Sequence, residues 1–176
     1  MKLACTRYAQ VFCHLVIATC VLWSAPTPAA ELWVGAATAD ITPDRPVPLT
    51  GGTSVRIARE VLDHLNANVL ALESREGQRV VDQAILIACD LCVIRPGIQA
   101  GFRKYLAGRL PGFDLNKLFL AATHTHTAPV IMQDRYDEKD YADAMQPKEY
   151  VPWMYQRMAE AVVKAWKSRA KGSVAW

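Results

Sequence analysis

Two apolar runs separated by six polar residues constrain this chain most. Residues 67–73 (Ala-Asn-Val-Leu-Ala-Leu-Glu) and residues 80–89, which end in Ala84-Ile85-Leu86-Ile87-Ala88-Cys89, flank Ser74-Arg75-Glu76-Gly77-Gln78-Arg79. Runs of this length rich in branched aliphatics form strands, and a polar linker with one glycine reverses the chain. The segment therefore predicts a β-hairpin. A third apolar run, Leu118-Phe119-Leu120-Ala121, predicts another strand, and residues 32–41 a first one leading into the proline-rich loop Thr42-Pro43-Asp44-Arg45-Pro46. That loop continues through Gly51-Gly52, which without a following Lys-Ser/Thr reads as a turn.

Helical spacing appears twice. Pro96 opens a segment in which Ile98, Phe102, Tyr105, Leu106 and Leu110 recur on one face before Pro111-Gly112. From Pro147, residues Tyr150, Trp153, Met154, Met158, Ala161, Val162 and Ala165 line one face of a long helix, with Lys164, Lys167, Arg169 and Lys171 gathered before a Gly172 cap. This order of elements predicts an α/β domain, a mixed sheet covered by helices. Residues 127–146 form a long loop rich in acidic side chains, of the kind that builds lids or binding walls.

The first thirty residues belong to another category. Lys2 and Arg7 precede the nearly continuous apolar stretch 9–23, which is too short to span a bilayer, and Ser24-Ala25-Pro26-Thr27-Pro28-Ala29-Ala30 follows as a small-residue cleavage region. Residues 1–30 are expected to be a signal peptide directing a secreted, periplasmic or cell-surface protein, and 31–176 the working domain. Without Lys2 and Arg7, 18 basic residues face 17 acidic ones, so no basic field recommends nucleic acid as a partner. Cys5, Cys13 and Cys20 go with the leader, leaving Cys89-Asp90-Leu91-Cys92. These two cysteines read as structural thiols, with a local disulfide as the alternative.

The chemistry concentrates after the third strand run, in Ala122-Thr123-His124-Thr125-His126-Thr127-Ala128-Pro129. On an extended strand, residues i and i+2 share a side, so both imidazoles are expected to leave the sheet together at its carboxyl end. Such a pair holds a metal ion or serves as hydrogen-bonded scaffolding at a sheet edge. Thr123, Thr125 and Thr127 are candidates to fix the imidazole tautomers. His64 and Asp90 are candidate further ligands, Asp90 alternatively capping the next helix. The metallo-β-lactamase pattern His-x-His-x-Asp-His and the zincin pattern His-Glu-x-x-His are both absent.

The segment 122–129 resembles the Ser/Ala-Thr-His-Thr-His-Ser/Thr-Gly/Ala-Pro segment of the neutral/alkaline non-lysosomal ceramidases. The resemblance extends to Gly35-Ala36-Ala37-Thr38-Ala39-Asp40-Ile41-Thr42-Pro43, to the hairpin ending in Ala88-Cys89-Asp90-Leu91, and to the helix from Tyr150, covering roughly residues 34 to 176. It implies the amino-terminal portion of a larger catalytic domain and a Zn2+ amidohydrolase that splits the N-acyl bond of ceramide, or of a related lipid amide at a membrane surface, into sphingosine and fatty acid. It also implies that His124 ligates the zinc and that His126 is the catalytic partner orienting water or substrate. Ala128 stands where the family more often has glycine, and Val130-Ile131 replaces a glycine-rich continuation; both alter the pocket wall. Family members are several times longer and take further zinc ligands from later sequence, so the isolated chain is expected to be incomplete and inactive. Two alternatives remain: a secreted binding domain or inactive hydrolase remnant, and a His-x-His metal amidase acting on another small amide.

Overall fold

The computed structural model describes residues 30–173; the expected signal segment, apart from Ala30, lies outside them. The predicted hairpin is the centre of a five-stranded sheet. Strands β4 (Asn66–Glu76) and β5 (Arg79–Cys89) pair antiparallel around a turn in which Gly77 takes a positive φ of 60°. Strand β1 (Glu31–Asp40) flanks β4, and β7 (Ala170–Lys171) extends the sheet beyond β1. On the other side β6 (Leu118–Ala122) lies parallel to β5, giving the order β6-β5-β4-β1-β7. A mixed α/β sheet is thus what forms. A separate ribbon of β2 (Val47–Leu49) and β3 (Arg56–Ala58) occupies the stretch that reads as loop in the sequence.

Helix α1 (Pro96–Leu106) and helix α2 (Pro147–Lys167) pack on the same side of the sheet and share one core. Alternation along the strands aims Val69, Ala71, Ile85, Ile87 and Leu118 into this core, where Phe102 and Leu106 of α1 meet Met154, Met158 and Val162 of α2. On the opposite face Leu86 and Phe119, paired in register, remain 43% and 49% exposed. Close approach of α2 depends on small residues: Gly35, Ala39, Ala67 and Ala71 on the sheet face Ala161 and Ala165 on the helix. The helix starts at Pro147, where the Glu149 carboxylate reaches back to accept from the Gln146 backbone N–H at 2.8 Å. It stops at Lys167 and not near Gly172, because Ala170 and Lys171 pair with Val34 and Trp33 as β7. Glu73, buried in β4, accepts a hydrogen bond from Arg169 at 3.1 Å and pairs with Arg75, fastening that junction. Among the described residues no helix is long and apolar enough to cross a membrane.

Tyr150 connects α2 to the loop after β1. Its hydroxyl donates to the carbonyl of Ile41 at 2.7 Å within a fully buried setting. Burial pushes its pKa well above the ordinary tyrosine range, so it stays protonated and remains a donor. Tyr150→Phe keeps the ring and orphans the Ile41 carbonyl, at an expected cost of about 1–3 kcal/mol in urea unfolding. A midpoint unchanged from the parent would contradict this.

Candidate functional site

The site is assembled where β5 and β6, running parallel, end side by side. Beyond the strands three hydrogen bonds clamp the two segments: Thr123 N–H donates to the Cys89 carbonyl at 3.0 Å, His124 N–H to Leu91 at 3.0 Å, and the Nδ1 of His124 to the Cys92 carbonyl at 2.7 Å. With Nδ1 acting as donor, the lone pair of His124 resides on Nε2. The Nε2 of His126 lies 3.4 Å from that atom, the two rings meeting edge to face.

This convergence does not come from strand alternation. Strand β6 ends at Ala122, and His124 has a φ of 66°, a left-handed conformation that a non-glycine residue adopts at a cost of roughly 1–2 kcal/mol. Strain of this kind persists where surrounding contacts over-determine it, here the clamp onto Leu91 and Cys92. The expected pairing of His124 and His126 is met by a turn, not by a pleat.

His126 is positioned from the other side. An added Cβ at Gly51, whose φ is 90°, would fall 2.7 Å from the His126 Nδ1, so the ring rests directly against that backbone. Arg56 of β3 donates to the carbonyls of both His126, at 2.6 Å, and Thr50, at 3.1 Å. Backbone bonds from Thr50 N–H to Ala128 and from Val130 N–H to Pro48 complete the attachment of the ribbon to the histidine segment. Gly51 thus serves a close approach, a role visible only once residues 75 positions apart meet. The loop 127–146 is a wall more than a lid: Arg135 and Tyr136 both donate to the Gly52 carbonyl, Met145 N–H bonds Pro46, and Tyr141 is fully buried.

The other candidate ligands do not join. His64 is exposed and engages the Asp40 carboxylate at 2.8 Å through Nδ1. The hydrogen bonds of Thr42, followed by the imidazole of His64, hold the Asp40 carboxyl below its usual range. Asp90 caps no helix; its oxygens accept from Asn66 N–H at 2.9 Å and Thr123 Oγ1 at 3.2 Å, pinning the mouths of β4 and β6. Thr125 and Thr127 bond each other, so the tautomer of His124 is set by a backbone carbonyl and not by a threonine. Both cysteines are free and buried, and Cys89 is pushed up to about 12 by burial with the Asp90 charge adding to it, which leaves it an inert thiol. Cys92 differs: it joins His124 and His126 in a cluster whose potential ligand atoms lie within 4.8 Å of one another. That participation was hidden in the sequence, where Cys92 reads as packing.

A cleft of about 590 Å³ opens beside the histidine segment, which contributes Thr127 and Pro129 to its wall. Val47, Leu49, Ile57 and Leu65 make much of the remainder apolar.

No protein-family model matches the sequence, and the search of curated proteins returns no match. Solved structures do match. Neutral ceramidase from Pseudomonas aeruginosa aligns with a TM-score of 0.65 over 81% of this chain at 18% identity. The chain shares the fold of one part of neutral ceramidase. A ceramidase complexed with C2 aligns with a TM-score of 0.60 at 19% identity, again over 81% of this chain. In both cases the alignment occupies 22% of the ceramidase, so the shared fold is a portion of a larger one. The partial α/β architecture implied by the sequence resemblance is therefore present.

Proposed function

We propose that this chain forms one side of a zinc-dependent hydrolase site that cleaves the N-acyl bond of ceramide or a related lipid amide. The observation that carries the reading is the 3.4 Å approach of the two Nε2 atoms beside a His124 whose Nδ1 is already committed. An ion on the lone pair of His124 Nε2 would stand beside the His126 ring, which is near enough to hydrogen-bond a water or substrate oxygen there. Bound zinc supplies Lewis acidity toward the amide carbonyl.

Within this arrangement His124 holds the metal through Nε2, its ring fixed by the Cys92 carbonyl as supporting carbonyls commonly fix metal-bound imidazoles. His126 faces the same point, and among the described residues its Nδ1 has no hydrogen-bond partner, so its tautomer is free to change. It is suited to orient a water or to stabilise charge developing on the substrate oxygen. The adjoining apolar cleft supports an acyl chain as the occupant next to the histidines. Export through residues 1–30 accords with a substrate met at an outer membrane face, and mass spectrometry of the mature amino terminus tests it: an intact Met1 refutes the leader.

Zinc content and N-acylsphingosine hydrolysis, measured in the protein as its gene encodes it, decide the main reading. His124→Ala is expected to lose zinc and turnover together. His126→Ala is expected to retain zinc while kcat falls roughly 10²- to 10⁴-fold, the usual scale of a positioned acid or base. Full activity in His124→Ala refutes the ligand role. Faster hydrolysis of short N-acyl amines than of ceramide would redirect the reading to a different amide.

A further inference from the structure

We propose that Arg56 is the positioning residue for His126, holding its imidazole against the Gly51 turn and opposite His124. The inference rests on the reading of His126 as the group that orients water or substrate, and adds the residue that aims it.

The histidine segment is tied at both ends and once in between. At one end the backbone N–H of His124 bonds the Leu91 carbonyl, and at the other the Ala128 carbonyl accepts from Thr50 N–H, each at 3.0 Å. Between these points Arg56 is, among the described residues, the one side chain from outside residues 122–129 that hydrogen-bonds His126. Its Nη2 donates to the His126 carbonyl at 2.6 Å and to the Thr50 carbonyl at 3.1 Å. One nitrogen thus joins the residue that bears the ring to the residue before Gly51, and a cationic donor makes such bonds stronger than neutral ones. The ribbon delivers the guanidinium, since Arg56 pairs across it with Leu49, and Leu49 bridges in turn to Pro129. Beyond Gly51, Arg135 and Tyr136 donate to the Gly52 carbonyl, so the carbonyls on both sides of the glycine that meets the ring are held. Arg56 is not in the wall of the apolar cleft, to which Ile57, Ala58 and Arg59 contribute. It therefore acts through His126 and not on the substrate, which assigns its effect to kcat and not to KM.

Arg56→Met in the full chain, which keeps the length of the side chain and removes its donors, is the test. Zinc content and the urea midpoint are expected to stay at the parent's values, because Arg56 is exposed and makes no bond to His124. For N-acylsphingosine, kcat is expected to fall about 10- to 100-fold with KM nearly unchanged, the scale of loss that a displacement of about 1 Å produces. Guanidinium ions, at a concentration too low to unfold the protein, are expected to restore part of kcat to Arg56→Met where sodium at equal ionic strength does not. Arg56→Lys is expected to fall between parent and Arg56→Met. A merely structural role would lower the urea midpoint and give no such rescue. A second readout needs no turnover: a nuclear Overhauser contact between the Gly51 Hα and the His126 ring is expected in the parent chain and is expected to be lost in Arg56→Met. Persistence of that contact in Arg56→Met, or a kcat equal to the parent's, overturns the role of Arg56. Absence of hydrolysis in the parent overturns the reading of the site instead, and the Overhauser contact then decides for or against Arg56.

Discussion

Gly51→Ala is expected to cost the proposed hydrolytic reaction about 100-fold or more while leaving the sheet folded. Two effects act at one atom. With φ at 90°, an L side chain at this position is strained, and the added Cβ would stand 2.7 Å from His126 Nδ1 and nearer still to the ring carbon beside it. No real Cβ tolerates such contact, so the imidazole must swing away or the β2–β3 connection must open. Either movement breaks the 3.4 Å approach of the two Nε2 atoms. Misplacement by about 1 Å is enough for a 10²-fold loss in a site that works by positioning. Gly77→Ala is the control, since its φ is also positive at 60° yet nothing lies within 4 Å of the added carbon. It should lose about 1–2 kcal/mol of stability and no turnover. Equal turnover in Gly51→Ala and the parent would show that His126 does not depend on this wall.

Gly35→Ala is expected to be the most damaging single methyl group elsewhere in the fold. Gly35 faces α2 at the point where the helix comes nearest the sheet, opposite Ala71 in the β1–β4 register. Its added Cβ would fall 3.0 Å from the carbonyl carbon of Ala165, closer still to the oxygen, and 3.1 Å from Cγ of Arg169. The clash is with helix backbone, so no rotamer relieves it. Relief requires lifting the carboxyl end of α2, which carries Val162 and Trp166 in the core and leads to the Arg169–Glu73 pair. Overpacking typically costs 1–3 kcal/mol, and we expect about 3 kcal/mol or more by urea unfolding because the obstruction is rigid. A loss below about 1 kcal/mol would mean that the helix shifts freely over its alanine-lined seat.

These two glycines also mark the boundary of what can be read in the chain. The hairpin, the helix behind Pro96, the strand before the histidines and the long helix were all legible, because each buries one face and so prints its period on the residues. The β2–β3 ribbon was not, since three-residue strands, one containing Pro48, are shorter than any periodic window. Gly51-Gly52 reads locally as a turn, and nothing within its own neighbourhood announces a histidine ring 75 residues further on.

The candidate site divides in the same way. The sequence by itself determined the donor types and their adjacency: two imidazoles one residue apart, at the end of an apolar strand, in a segment resembling that of a zinc amidohydrolase family. Only the tertiary structure decided which atoms meet. The left-handed His124, the carbonyl of Cys92 that leaves Nε2 as its lone pair and the arrival of the Cys92 thiol follow from pairing β5 with β6, while Asp40 of β1 and Asn66 of β4 draw His64 and Asp90 away. The physical reason is that side-chain type is carried residue by residue, whereas ligand geometry is fixed by hydrogen bonds between segments some thirty positions apart, and those exist only once the sheet has closed.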